Sequence, residues 1–359
     1  MISSVQPDRE NPLPVSRIPT SMTQARVIRF LIVGLPLGLI AGGVIAMKAY
    51  FREQSNPGTG FGYVRKAVSR TDIQSHVERL AKTIGPRAAG MRDRVKFAVN
   101  YLQSTLSPAN MGFNVSQQTY KVDGENVYNL VIEIPGTHPD HLGEIVLAGA
   151  NYDSVADSPG ADANASGVAA CLSLCQAFAN TKHERTLRFV FFANGETEDK
   201  GSAHYAQECK QRGEKIVAMV SLNSLGYYTT APASLRKPLN QETAAPESGD
   251  FLAVYGDANA RGLVETFTSQ FKKDSTLPLT GTVLPENGRA PGSGDERSFA
   301  EQGYSAVVVT DTAALRNPNY HQPGDTPETL DYERLTQAVQ GIEGVIRVLA
   351  NPVRAAGGK

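Results

Sequence analysis

Cysteine is scarce and tryptophan absent: the 359 residues hold three cysteines, Cys171, Cys175 and Cys209. Three thiols cannot build a disulfide framework or a thiolate zinc cage. Cys171 and Cys175 stand four apart in an apolar helical stretch, where free cysteines act as small core residues. Charge of neither sign prevails, with 35 Lys and Arg against 36 Asp and Glu, a net charge of -1 and no run of five like charges. That excludes a basic surface for nucleic acid, and no nucleic-acid partner is expected. No Gly-rich phosphate loop and no G-x-S-x-G elbow occurs, so Ser166, Ser202 and Ser298 read as helix caps or surface residues rather than nucleophiles. With 41% apolar and 20% charged residues the chain is neither coiled coil, collagen nor disordered polymer.

One long hydrophobic run stands out. Phe30 to Met47 is 18 uncharged residues between Arg26 and Arg29 on one side and Lys48 and Arg52 on the other, the length of a short transmembrane helix. A leader of 29 residues and an apolar run longer than a signal-peptide core predict an uncleaved anchor. The flanking charges are nearly balanced, and long downstream domains translocate largely regardless of such a bias. Residues 1–29 are therefore expected in the cytoplasm and the C-terminal domain outside it, on a single-pass membrane protein. Gly34, Gly38 and Gly42 form one small-residue ridge of the kind that lets membrane helices associate.

Beyond a linker at residues 48–70, one domain is expected over residues 71–350, with a short tail at 351–359. Short apolar runs alternate with helical periodicity: strands at Ile145–Ala150, Leu187–Phe192, Ile216–Leu222, Phe251–Tyr255 and Ala306–Val309, with helices between them. A β pair is expected earlier, around Asn114–Tyr120 and Val127–Ile134. This predicts an α/β fold, a mixed and mostly parallel sheet covered by helices on both faces. Ligands in such folds bind at the carboxyl ends of the strands, and the polar clusters fall there: Asn151-Tyr-Asp153, Asp162 to Gly167, Asn194 to Ser202, Asn223, and Asn317 to Asp325.

The stretch ANYDSVADSPGADANASGVAA resembles the signature AHYDS…PGADDNASGVAA of family twenty-eight of the metallopeptidases, the co-catalytic zinc aminopeptidases. FVFFANGETEDKGSAHYA, VSLNSLGYY, GDERSFAEQGYSAVVVTDTA and NPNYHQPGDTPETLDYERL follow in the family's order, and IGPRAAG near the start also fits. The resemblance covers Thr71 to Leu349 and implies about eight strands between helical layers. It also implies two zinc ions bridged by a carboxylate and a water, with a glutamate as general base.

The resemblance then assigns positions one by one. The first ligand His is Asn151, beside a retained Asp153; the bridging Asp is Ala163; the acidic ligand after the third central strand is Asn223. The Glu-Glu pair of base and ligand falls either on Gly195 and Glu196 or in a shortened loop. Asp295 and Glu296 stand where the family has an Asp-His pair, and only His321 clearly remains as a ligand. Zinc takes imidazole or carboxylate, which an amide or a methyl group cannot replace. The expectation is a pseudo-peptidase with no cofactor, binding a peptide or protein partner in a cleft supported by Asp153, Asp162, Asp295 and Glu296. Glu196 is the one remaining candidate base or ligand, and the His321 ring is expected to pair with a neighbouring carbonyl or acid such as Asp325. The alternative is a single-zinc hydrolase or glutaminyl-cyclase-like enzyme using Asp162, Glu196 and His321.

Overall fold

The structure, a computed structural model, describes residues 66–352 apart from 198–199, 233, 236–247, 287 and 293. The expected tail, the anchor at residues 30–47 with its glycine ridge, and most of the linker lie outside the described residues. Within them, no helix is long and apolar enough to cross a membrane.

Eight strands form one sheet in the order β1-β2-β4-β3-β5-β8-β6-β7. They are β1 Ser116–Val122, β2 Glu125–Ile134, β3 Glu144–Asn151, β4 Thr186–Phe192, β5 Lys215–Leu222, β6 Leu252–Gly256, β7 Leu279–Val283 and β8 Ala306–Thr310. The central strands β4, β3, β5 and β8 run parallel to one another. Three pairings are antiparallel, β1 with β2, β2 with β4, and β6 with β8. The expectation of a mostly parallel sheet is corrected accordingly: the sheet is mixed. Both margins reverse. β1 and β2 are joined by the tight Asp123-Gly124 turn, both residues at positive φ, as a two-residue hairpin of matching twist requires.

The central strands read as continuous apolar runs because both faces are covered. In β3, Val146, Ala148 and Ala150 enter one core while Ile145 and Leu147 enter the other. β4 divides likewise, with Leu187, Phe189 and Phe191 on the first side and Val190 and Phe192 on the second. The larger core lies under helices α1 (Arg70–Val77, continued helically to Ile84), α3 (Gly167–Phe178), α5 (Arg261–Asp274) and α8 (Tyr332–Ala350). Helix α2 (Arg92–Leu106) adds Ala98, Val99, Leu102 and Leu106 to it. The smaller core lies under α4 (Gly201–Gln211) and α6 (Asp295–Ala300), where Tyr205 and Phe299 meet Phe192. The short α7 is Ala313–Arg316. All three cysteines are buried free thiols.

Two elements escape the sequence pattern. Strand β7 reads Leu-Thr-Gly-Thr-Val, with neither an apolar run nor a clean alternation, and forms because its backbone pairs with β6. Helix α6 has only six residues, too few for a helical period to show.

Candidate functional site

The exits of β3, β4, β5 and β8 meet at one end of the sheet, and their loops are locked by buried polar groups. Asp153 accepts hydrogen bonds from the Gly195 N–H at 2.7 Å, the Glu196 N–H at 3.1 Å and Asn151 Nδ2 at 3.2 Å. It thereby ties the β4 exit to the β3 exit. Burial, and then the charge of Glu196, raise its carboxyl to about 6.

Asn151 ends β3 and accepts at Oδ1 from Asn164 Nδ2, 2.8 Å away. Asn164 also donates to the Leu222 carbonyl at 2.9 Å and accepts the Ser224 N–H at 3.0 Å, so one amide laces the β3 and β5 exits together. The peptide bond between Ala163 and Asn164 is cis. A Cβ on Gly167 would stand 2.3 Å from both Asn164 Oδ1 and the Leu222 carbonyl, a close approach only glycine permits.

Asp325 receives the backbone N–H groups of Asp162 and Ala163 at 2.8 and 3.1 Å. Burial first and the Asp162 charge second raise it to about 7. Asp162 turns its own oxygens elsewhere, to the Gly226 N–H at 2.9 Å and Asn317 Nδ2 at 3.0 Å. Behind it Asp311 is pushed well above the ordinary carboxyl range, first by burial and then by Asp162. Ser166 is no cap: its hydroxyl donates to the Asp162 carbonyl and accepts the Leu225 N–H.

Arg87, within the IGPRAAG block, is wholly buried. Its guanidinium donates to the carbonyls of Tyr152 (2.7 Å), Pro159 (2.6 Å) and Gly160 (3.1 Å), clamping the loop between β3 and Asp162. Burial lowers it to about 10, so it stays charged at neutral pH. Its fixed fork satisfies several carbonyls that would otherwise be buried unpaired.

The structure brings Asn151, Asp153, Gly195, Glu196 and His321 together. His321 Nε2 lies 3.3 Å from Glu196 Oε2, a buried nitrogen without hydrogen-bond geometry to any partner. Its ring stacks on Tyr320 with centroids 3.8 Å apart. The acid beside the His321 ring is thus Glu196 rather than Asp325, which is occupied by backbone N–H groups. Asp162 does not join Glu196 and His321 as a ligand set: among the described residues, the single group of three metal-ligating side chains within 4.8 Å of one another lies elsewhere.

Asn223 caps the end of β5, its Oδ1 accepting from Ser224 Oγ, and faces the loop at Gly294. Glu296 folds back to accept the Gly294 N–H at 2.9 Å. Asp295 is buried beside Ser202, and burial raises it to about 7. These acids are struts beneath the surface, whereas Glu196 and His321 keep 16% and 30% of their side chains exposed. Arg87, Asn164 and Asp311 carry the architecture without having been picked out by sequence spacing. The signal for the first was the IGPRAAG block, and for the second its place in GADANASG.

Among the described residues, the donors at the strand exits fit one zinc ion better than two. Amides at Asn151 and Asn223 and a methyl group at Ala163 offer no carboxylate or imidazole. The 3.3 Å between His321 Nε2 and Glu196 Oε2 matches the spacing of two ligands on one tetrahedral ion with bonds of roughly 2.0–2.1 Å.

Residues 129–346, more than half of the chain, match Peptidase family M28. The Uncharacterized protein YfbL of Escherichia coli (strain K12) is 28% identical over 299 residues, which are 79% of this chain and 88% of that one. A Probable zinc metalloprotease of Pyrenophora tritici-repentis is 29% identical over 253 residues, covering 63% of this chain and 57% of that one. Among solved structures, BSAP, a zinc aminopeptidase from Bacillus subtilis, superposes with a TM-score of 0.61 at 15% identity, over 80% of this chain and 97% of that one. The expectation of a chain without a cofactor is corrected by these findings, since a relative in sequence is a probable zinc metalloprotease and the fold is that of a zinc aminopeptidase. The eight-stranded fold, the polar lattice at its strand exits and the matched span together place this chain in Peptidase family M28.

Proposed function

We propose that this chain is a membrane-anchored, aminopeptidase-like domain that has lost hydrolysis and binds the end of a peptide or protein at a reduced, one-zinc site on Glu196 and His321. Gly195 carries the reading. In the alignment that places Gly195 and Glu196 at the family's base and ligand, the base position has no side chain. It also has no room for one: a Cβ there would lie 2.3 Å from Asn151 Cβ and 2.4 Å from its Cγ. Without a carboxylate at that place, no group among the described residues is positioned to activate water.

Zinc, when held by Glu196 and His321, supplies Lewis acidity and an attachment point for an amine or carboxylate. Glu196 is kept in place by its own backbone N–H on Asp153, and His321 by its stacking on Tyr320. Asn151 adds an amide toward Glu196 Oε1, 3.4 Å away. The anchor at residues 30–47 rests on its 18 uncharged residues and places the domain at a membrane, on the outer side. Gly34, Gly38 and Gly42 give that anchor a surface for self-association.

The test uses the full chain in detergent. Zinc content should fall by one ion per chain on Glu196→Gln or His321→Ala, and aminoacyl p-nitroanilides should not be cleaved at any zinc concentration. Turnover in the unmodified protein that is lost on Glu196→Gln would overturn the reading. Carbonate extraction should leave the chain in the membrane pellet.

A further inference from the structure

At the opposite end of the sheet, where β3 and β4 begin, a second group of metal-ligating side chains is assembled. His138 and His141 occupy one tight turn around Pro139–His141, their ring centroids 5.5 Å apart. The turn is clipped to the segment entering β4 by the Thr137 N–H on the His183 carbonyl at 2.8 Å and the His138 N–H on the Glu184 carbonyl at 3.3 Å. Those bonds bring Glu184 to the two imidazoles. One ligating atom from each of His138, His141 and Glu184 lies within 4.8 Å of the others. All three side chains keep between 21% and 26% of their surface exposed, so an ion can enter from solvent.

The orientation of His141 points to a ligand. Its Nδ1 lies 3.0 Å from Glu144 Oε2, and its Nε2 lies 3.5 Å from Glu184 Oε2. In the tautomer that donates Nδ1–H to Glu144, the Nε2 lone pair and Glu184 Oε2 face the same space, where both can hold one cation. A carboxylate accepting the far N–H of an imidazole is the usual support of a metal-bound histidine. That support is itself fixed, because Glu144 receives Arg185 Nε and Lys215 Nζ, each at 2.6 Å.

We infer that His138, His141 and Glu184 form a zinc-binding site distinct from the cleft, with Glu144 as the positioning residue for His141. Two imidazoles and one carboxylate are a zinc donor set with a position left for water. Calcium and magnesium, which take oxygen donors, are disfavoured. Seven residue steps along β3 separate Glu144 from Asn151, about 23 Å at 3.3 Å per residue, so the two sites do not share an ion. Zinc here bridges the entries to β3 and β4 and stabilises the folded chain by binding it alone.

The experiment uses the metal-stripped full chain carrying Glu196→Gln and His321→Ala, which removes the cleft donors and separates this inference from the reading above. Calorimetric titration with zinc should show one ion per chain, and the cobalt form should show visible bands of a four- or five-coordinate ion. Adding His138→Ala or His141→Ala should weaken zinc at least tenfold and abolish the cobalt bands. Glu144→Gln should weaken zinc by a smaller factor while leaving the bands in place. Circular dichroism of each variant checks that the fold is kept. If the cleft-deleted chain binds no zinc, or binds it equally well without the two histidines, the site does not exist and a proton bridges His141 and Glu184 instead.

Discussion

The two ends of β3 carry opposite kinds of polar chemistry. At its carboxyl end, Asn151 leads into buried acids that receive backbone N–H groups, with amides and a glycine at the positions that face one another. At its amino end, Glu144 gathers Arg185, Lys215 and His141 near the surface. The first end is a lattice of geometry with few metal donors, and the second a set of donors on a plain turn. Scaffold and donors are therefore separable. The strand exits are held by Asp153, Asp325 and Arg87, none of which stands at a position that the resemblance assigns to a zinc ligand.

The largest effect expected from breaking this contrast is at Arg87. Arg87→Met would leave three buried carbonyls without their donor. It should cost roughly 3–5 kcal/mol, as removing a buried charged partner does. Chemical denaturation of the full chain measures it, and a loss below about 1 kcal/mol would mean that the loop between β3 and Asp162 is held by other contacts. At the other end, Lys215→Met removes a partner with 67% of its side chain exposed and should leave the denaturation midpoint nearly unchanged.

The next effect is steric. Gly195→Ala should cost roughly 1–3 kcal/mol, because the new methyl group meets Asn151 at its Cβ and Cγ rather than at a flexible tip. Asn151→Gly in the same chain should return part of that loss, and a double-mutant cycle reads the coupling. An alanine tolerated at no cost would show that the β4 exit loop has room for a side chain, which would remove the chief support for a lost base.

Much of this was legible in the sequence, for identifiable reasons. Strands β3, β4, β5 and β8 are buried on both faces and so read as unbroken apolar runs, and the β1–β2 pair shows in the runs at Asn114–Tyr120 and Val127–Ile134. Strand β7 was not legible, since its Thr and Gly residues earn their place only by pairing with β6. Within the site, Asn151, Gly195 and Glu196 fall at the strand ends that motif order indicates. The partners do not follow from spacing. His321 meets Glu196 from 125 positions away, Asp162 takes the Gly226 N–H from 64 positions away, and Asp325 takes the backbone of Asp162 from 163 positions away. Local pattern carries no information on contacts of that range. A cap on helix α3 was therefore expected where a long-range lattice stands.

The pH dependence sharpens the comparison further, since there the two ends should act with opposite sign. Burial holds the Asp295 carboxyl up at about 7 against an ordinary 3.8, in spite of the Ser202 hydroxyl beside it. The folded state then binds more protons than the unfolded one between those values. Its contribution is nil below about pH 3.8 and becomes a growing cost as pH rises, complete above about 7. Glu144 is the reverse: Lys215, and with it Arg185 and His141, hold its carboxyl down to about 2 from an ordinary 4.5. Its stabilisation is in full force above about pH 4.5 and is lost as pH falls toward 2. Thermal unfolding of the metal-stripped chain should therefore lose stability on both limbs. Asp295→Asn should flatten the limb between pH 4 and 7, by on the order of a few kcal/mol at one unit per 1.4 kcal/mol. Glu144→Gln should flatten only the limb below about 4.5, and by less, because that end is nearer water. If both variants flatten the same limb, the two ends of β3 do not differ in electrostatic character, and the contrast between a buried lattice and a surface cluster of donors fails.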